Sequence, residues 1–155
     1  HQNDLKRIMR ALEVAEITGK PISSFQNQFR SGNYRYPWQL IGLRREKSDC
    51  NKRINRRVKK MVADGLVDEV KSLLAEPAGL SEQAAQAIGY AEIIKHLNGD
   101  YTLDEAIEKI KINTRRFAKS QRTWYKGFAD VNWFDLDPDE TVAGLTEKVM
   151  KQFNL

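Results

Sequence analysis

One stretch, Thr102 to Lys126, constrains what the chain can fold into more than any other. Thr102 with Glu105 three residues on makes a capping box, and Gly127 stands where a left-handed C-terminal cap would be wanted. Leu103, Ile107, Ile110, Thr114, Phe117, Gln121 and Trp124 recur at alternating steps of four and three, so all seven share one face of a helix. That seam should pack inward. A second stripe, Arg115, Lys119, Arg122 and Lys126, has the same spacing and lies away from the seam. Taken alone, the stripe is a solvated helix surface or an anion-binding track, and Gln121 is a buried amide with its partners satisfied or a contact to something bound.

The rest of the chain bounds the partners. Its 155 residues suffice for one domain with a sizeable core, and 41% hydrophobic with 30% charged residues describes a globular protein. A net charge of +5 favours polyanionic partners. The single cysteine, Cys50, excludes an internal disulfide and a cysteine zinc site, and two histidines, His1 and His96, make no metal cluster. No apolar run approaches the ~18 residues of a membrane span. The polar N-terminus does not read as a signal peptide, so the expected compartment is the cytoplasm. The sequence does not give the oligomeric state, and a monomer is the default expectation.

In order, Asp4 caps a helix from Leu5 to about Thr18 with Leu5, Ile8, Met9, Leu12 and Val14 mostly on one side, stopped by Gly19 and Pro21. Residues 21–37 read as a loop with a short helical piece. Trp38 to Leu43 is a strand candidate, and Val131 to Leu136 is the only other. Two short strands do not make a stable sheet, so they are edges of a mainly helical domain or belong to a sheet centred elsewhere. Ser48 or Asp49 caps a helix with Ile54, Val58 and Met61 inward, ended by Gly65. Its surface carries Arg53 and Arg57, and Arg56 and Lys60, each pair four apart. Guanidiniums one turn apart suit a diphosphate, although a basic surface balanced by Asp64, Asp68 and Glu69 is the simpler reading of the spacing. Leu66 to Ala75 is amphipathic and Pro77 and Gly79 break it. Ser81 starts a further helix in which Gly89 marks a close approach, and Ile93, Ile94 and Leu97 pack inward before Asn98 and Gly99 end it. A last helix carries Val142, Leu145, Val149, Met150 and Phe153.

The wording of four segments goes further. Thr114-Arg115-Arg116-Phe117-Ala118-Lys119-Ser120-Gln121-Arg122-Thr123-Trp124 resembles the T-R-x-x-A-K-R-Q-x-T-W segment of tRNA dimethylallyltransferases, departing at Ser120. His1-x-Asn3-Asp4, Arg7-Ile8, Arg10-Ala11-Leu12-Glu13-Val14 and Thr18-Gly19-Lys20 resemble a second segment, with Gln2 in place of Pro. Arg53-Ile54, Arg57-Val58, Met61, Gly65-Leu66 and Glu69-Val70 fit a third. Gln86-Ala87-Ile88-Gly89-Tyr90-Ala91-Glu92 matches a fourth except at Ala91, which removes a cation the family often has.

The resemblance implies transfer of a dimethylallyl group from its diphosphate to N6 of an adenosine beside the anticodon of a tRNA, with Mg²⁺. It implies a nucleotide-kinase-like α/β fold with a phosphate loop and a helical insertion. No G-x-T-x-x-G-K-[ST] loop and no identifiable general base lie in these residues. The expectation is therefore that residues 1–155 are the C-terminal portion of such an enzyme, mainly α with two short strands, lacking the phosphate-loop half and inactive alone. By the resemblance, Arg57 and more weakly Arg53 contact the diphosphate. Lys6, Arg7, Arg10, Gln86, Ile88, Gly89, Tyr90, Arg115, Lys119, Gln121, Arg122, Thr123, Trp124 and Lys126 contact tRNA. No residue is assigned to catalysis or metal binding, the Mg²⁺ being expected on the other half. The alternative from another class is a stand-alone basic helical RNA-binding module without catalysis. A relative that prenylates a free nucleotide has no use for basic segments at 7–10, 53–60 and 115–126.

Overall fold

The structure is a computed structural model that describes residues 3–26, 36, 38–128 and 130–154. In chain order these form α1 (Leu5–Thr18), a 3-10 turn (Ile22–Phe25), β1 (Leu40–Arg45), α2 (Lys47–Ala63), α3 (Leu66–Ala75), α4 (Glu82–Ala85), α5 (Tyr90–Leu97), α6 (Leu103–Tyr125), β2 (Val131–Leu136) and α7 (Val142–Phe153). Most of the expected loop at 21–37, and His1 and Gln2 of the N-terminal motif, lie outside the described residues. The chain divides into two units, His1–Gly42 with Thr123–Trp133, and Leu43–Arg122 with Phe134–Leu155.

The second unit holds the core. Val58 of α2, Leu66 and Val70 of α3, Ile93 of α5, and Ala106 and Ile110 of α6 are buried together. Val70 and Ile93 are wholly buried, and burying a side chain of that size is worth roughly 1.5–3 kcal/mol. Ile54, Met61, Tyr90, Leu103 and Ile107 pack around this cluster, as their spacing requires. The Thr102 capping box closes as expected: Glu105 accepts from the Thr102 backbone N–H at 2.8 Å, and the Thr102 hydroxyl accepts from the Glu105 N–H at 3.2 Å.

The inward seam of α6 is realised only in its first half. Phe117 is 55% exposed and Trp124 62%, and Gln121 is exposed, so the buried-amide reading of Gln121 is overturned. Gly127 does not take the left-handed conformation; its N–H bonds the Trp124 carbonyl at 3.0 Å. The cap of α2 is Glu46, not Ser48 or Asp49: its carboxylate accepts from the Ser48 and Asp49 N–H groups, while Asp49 is drawn to two arginines. The helix expected from Ser81 is broken. Four residues of α4 and a turn precede α5, and Gly89 caps α5 at φ 103°, a conformation closed to side-chain-bearing residues. A Cβ there would meet no protein atom within 4 Å, so it is the turn, and not the close approach of another stretch of backbone, that requires glycine. Leu97 is exposed rather than inward.

In the first unit, Asp4 caps α1 by accepting from the Arg7 N–H at 3.1 Å, and Gly19 ends it at φ 67°. The apolar side of α1 is not buried: Leu5 is 70% exposed and Leu12 60%. Trp124, Tyr125 and Phe128 form an edge-on aromatic group, with ring centroids 4.9 and 4.8 Å from Trp124.

β1 and β2 pair with each other in a two-stranded parallel sheet. β1 runs two residues later than its apolar run suggested, and near its end Arg44 grips Asp135 of β2 through two bonds of 2.5 and 2.6 Å. Gly42 is required: a Cβ would lie 2.5 Å from Val131 Cγ1 and 2.6 Å from Trp133 Cε3. In α7, Leu145, Val149 and Phe153 are half-buried, whereas Val142 and Met150 are exposed. No helix among the described residues is long and apolar enough to cross a membrane.

Candidate functional site

The exposed side of α2 and the end of β1 enclose an open cleft of about 460 Å³ lined by Arg45, Cys50, Arg53, Ile54, Arg56, Arg57 and Lys60. The helical repeat sets this up. Val58 and its neighbours bury one face of α2, which turns the four basic residues of the opposite side outward. Asp49, only half-buried, holds the frame. Its carboxylate takes Arg45 at 3.2 Å and Arg53 at 3.0 Å, and the hydrogen bond from Arg53 is the main reason its pKa lies below the ordinary carboxylate range. The same two guanidiniums donate onward to backbone carbonyls, Arg45 to Asp137 at 2.9 Å and Arg53 to Pro138 at 2.7 Å. Lys60 is paired with Asp64 at 2.8 Å. Arg57 lines the cleft exposed and is bonded to no described residue. The structure therefore separates the two arginines that spacing paired: Arg53 is held, Arg57 is open. Arg45, Cys50, Arg56 and Lys60 complete the wall, and sequence reasoning singled out none of them as site residues. The Arg56 and Lys60 spacing was the available signal.

On α6, Arg115 is half-buried and donates to Asn55 Oδ1 at 3.1 Å, while Lys119, Gln121 and Arg122 are exposed in the same unit. Lys126 lies just past the end of α6 and is exposed, as are Thr123 and Trp124. Lys6, Arg7 and Arg10 are exposed on α1. Arg7 pairs with Asp4 at 3.1 Å and Arg10 with Glu13 at 3.3 Å, exposed ion pairs that yield readily to a competing phosphate.

The Gln86–Glu92 segment forms the turn into α5. Gln86 and Ile88 are exposed, and Gly89 is buried. Tyr90 donates a hydrogen bond from its hydroxyl to Glu69, which raises its pKa above the ordinary phenol value, while its ring packs against the core. Glu92, 7% exposed, anchors the turn: it accepts from the Gly89 N–H at 2.7 Å and from Asn113 Nδ2 of α6 at 2.7 Å. Beside it Lys95 and Lys109 both lie over the Tyr101 ring, at 5.5 and 5.4 Å from its centroid. Among the described residues no three His, Cys, Asp or Glu side chains gather as metal ligands.

Comparison with known proteins identifies the family. Residues 1–128 match the family model described as IPP transferase. A tRNA dimethylallyltransferase of Halothermothrix orenii is 46% identical over 136 residues, covering 88% of this chain and 42% of the relative. One from Thermoanaerobacter sp. strain X514 is 45% identical over 155 residues, covering 97% and 49%. The chain thus spans about half the length of the curated relatives it matches. Among solved structures, a tRNA isopentenylpyrophosphate transferase of Bacillus halodurans superposes with TM-score 0.72 at 37% identity, over 99% of this chain and 46% of that one. The Staphylococcus epidermidis counterpart gives TM-score 0.71 at 32% identity, over 99% and 50%. With most of its length matched by the family model and by these relatives, the chain belongs to the IPP transferase family.

Proposed function

We propose that this chain works within a tRNA dimethylallyltransferase, in which a dimethylallyl group passes from its diphosphate to the N6 amine of an adenosine beside the anticodon. The relatives' names supply the reaction class. The observation that carries the chain's own part is the open Arg57 guanidinium in the α2 cleft, beside Arg53 and Lys60, which are paired with Asp49 and Asp64. A diphosphate leaving group gathers negative charge as the carbon–oxygen bond breaks, and a fixed guanidinium stabilises that charge by charge-assisted hydrogen bonds. Arg53, committed to Asp49 and the Pro138 carbonyl, serves the cleft as a strut.

The exposed cations of α6 and, separately, those of α1 supply phosphate contacts to tRNA, which position the RNA without reading its sequence. The turn from Gln86 to Tyr90, pinned by Glu92, presents side chains toward the RNA. The phosphate loop, the general base and the Mg²⁺ donors come from residues other than these, so the 155-residue chain by itself is inactive and works in the cytoplasm as part of the larger enzyme, a monomer. The test is transfer of a labelled dimethylallyl group into an anticodon stem-loop. The enzyme carrying this chain together with a phosphate-loop segment should label the target adenosine, and the chain alone should not. Labelling by neither, with the stem-loop still bound, would favour the RNA-binding module.

A further inference from the structure

The five cations of the α2 cleft are not equally available. Asp49 and two backbone carbonyls occupy Arg45 and Arg53, and Asp64 occupies Lys60. Arg56 and Arg57 line the same cleft, and neither bonds any described residue. We propose that Arg56 and Arg57 together form a two-point grip on an organic diphosphate, with Arg45 and Arg53 as the frame that shapes the cleft. This rests on the diphosphate reading of Arg57 and adds Arg56, which no resemblance assigns. Consecutive residues of a helix point about 100° apart, so the two guanidiniums approach a ligand from two sides instead of stacking on one phosphate. Each offers five N–H donors in a planar fork, suited to bridging two phosphate groups. Ile54 gives the same cleft an apolar contact for the attached hydrocarbon. A run of RNA phosphodiesters spreads single charges over successive nucleotides, a poorer match to two unneutralised cations sharing one cleft.

Cys50 lines this cleft and is the chain's only cysteine, so its rate of alkylation by iodoacetamide reports occupancy without any need for catalysis. Inorganic pyrophosphate should slow alkylation of the 155-residue chain, and inorganic phosphate should do so far less. Arg56→Ala and Arg57→Ala should each raise the half-protecting pyrophosphate concentration at least about tenfold, the effect of losing a charge-assisted contact. Lys52→Ala, an exposed α2 cation outside the cleft lining, should leave it within about threefold. If Arg57→Ala abolishes protection and Arg56→Ala does not change it, the two-point grip is wrong while the diphosphate reading of Arg57 stands. If pyrophosphate gives no protection, or Arg57→Ala has no effect, both fail. Stronger protection by a single-stranded RNA oligonucleotide than by pyrophosphate at equal phosphate would make the cleft part of an RNA track and overturn the proposal.

Discussion

Glu92→Gln tests how the turn that carries Gln86, Ile88 and Tyr90 is held. Glu92 is 7% exposed and accepts two hydrogen bonds of 2.7 Å, one from the Gly89 N–H within the turn and one from Asn113 of α6. It is the half of a capping box that a glycine cap permits. The Asn113 amide is oriented from the other side as well, since its carbonyl accepts from Arg116 at 3.5 Å. Glutamine keeps the volume but accepts at one oxygen only and sets an N–H against an N–H at the other position. A hydrogen bond to a charged group is worth about 1.5–3 kcal/mol, and the orphaned donor adds to the loss, so the substitution should cost about 2–3 kcal/mol. For a chain of this length that is a fall of roughly 4–12 °C in Tm. Thermal and urea unfolding followed by circular dichroism measure it. A double-mutant cycle with Asn113→Ala should show coupling of about 1 kcal/mol between the two sites. A Tm within about 2 °C of the parent, or energies that simply add, would refute the anchoring role.

Three further outcomes are expected. Gly42→Ala places a methyl within 2.5 Å of Val131 and 2.6 Å of Trp133, so it should destabilise the strand pair by about 1–3 kcal/mol and shift tryptophan emission; an unchanged spectrum and Tm would contradict the close approach. The folded-state pKa values of Asp49 and Glu105 are depressed, the first mainly by the Arg53 hydrogen bond and the second mainly by the Thr102 N–H. Their contribution is therefore complete above the ordinary carboxylate pKa of about 4 and is lost as pH falls through the lower folded values; Tm should drop in that window, and Asp49→Asn should flatten the drop. Arg115→Ala should weaken stem-loop binding and reduce the magnitude of the salt slope by about one unit, whereas an unchanged slope would return the α6 cations to solvated surface.

The sequence made α3, the start of α6, β2 and the caps at Asp4 and Thr102 legible because each depends on near neighbours. Thr102 and Glu105 are three apart, and Asp4 caps α1 at the same distance. What escaped depended on distant partners. Spacing could not tell Arg53 from an open cation, because Pro138, which takes one of its donors, lies 85 residues on. Asp49 looked like a cap until Arg45 and Arg53 claimed it, leaving that task to Glu46. Helical spacing correctly put Phe117 and Trp124 on one seam with Ile110, but periodicity says which residues share a face and not whether anything covers it. Gly89 was read for its missing side chain when its positive φ is what the turn requires. Arg57 was identified through the resemblance, since spacing alone weighed it equally with any exposed cation of α2.

The central claim is that Arg57 faces the diphosphate. The most direct measurement is the steady-state dependence of prenyl transfer on dimethylallyl diphosphate for Arg57→Ala, in the enzyme carrying this chain and a phosphate loop, beside stem-loop affinity for the same variant. The account predicts that KM for the diphosphate, or kcat/KM, worsens by about tenfold to a hundredfold while RNA affinity changes less than about twofold. Loss of RNA affinity with diphosphate use intact would contradict it.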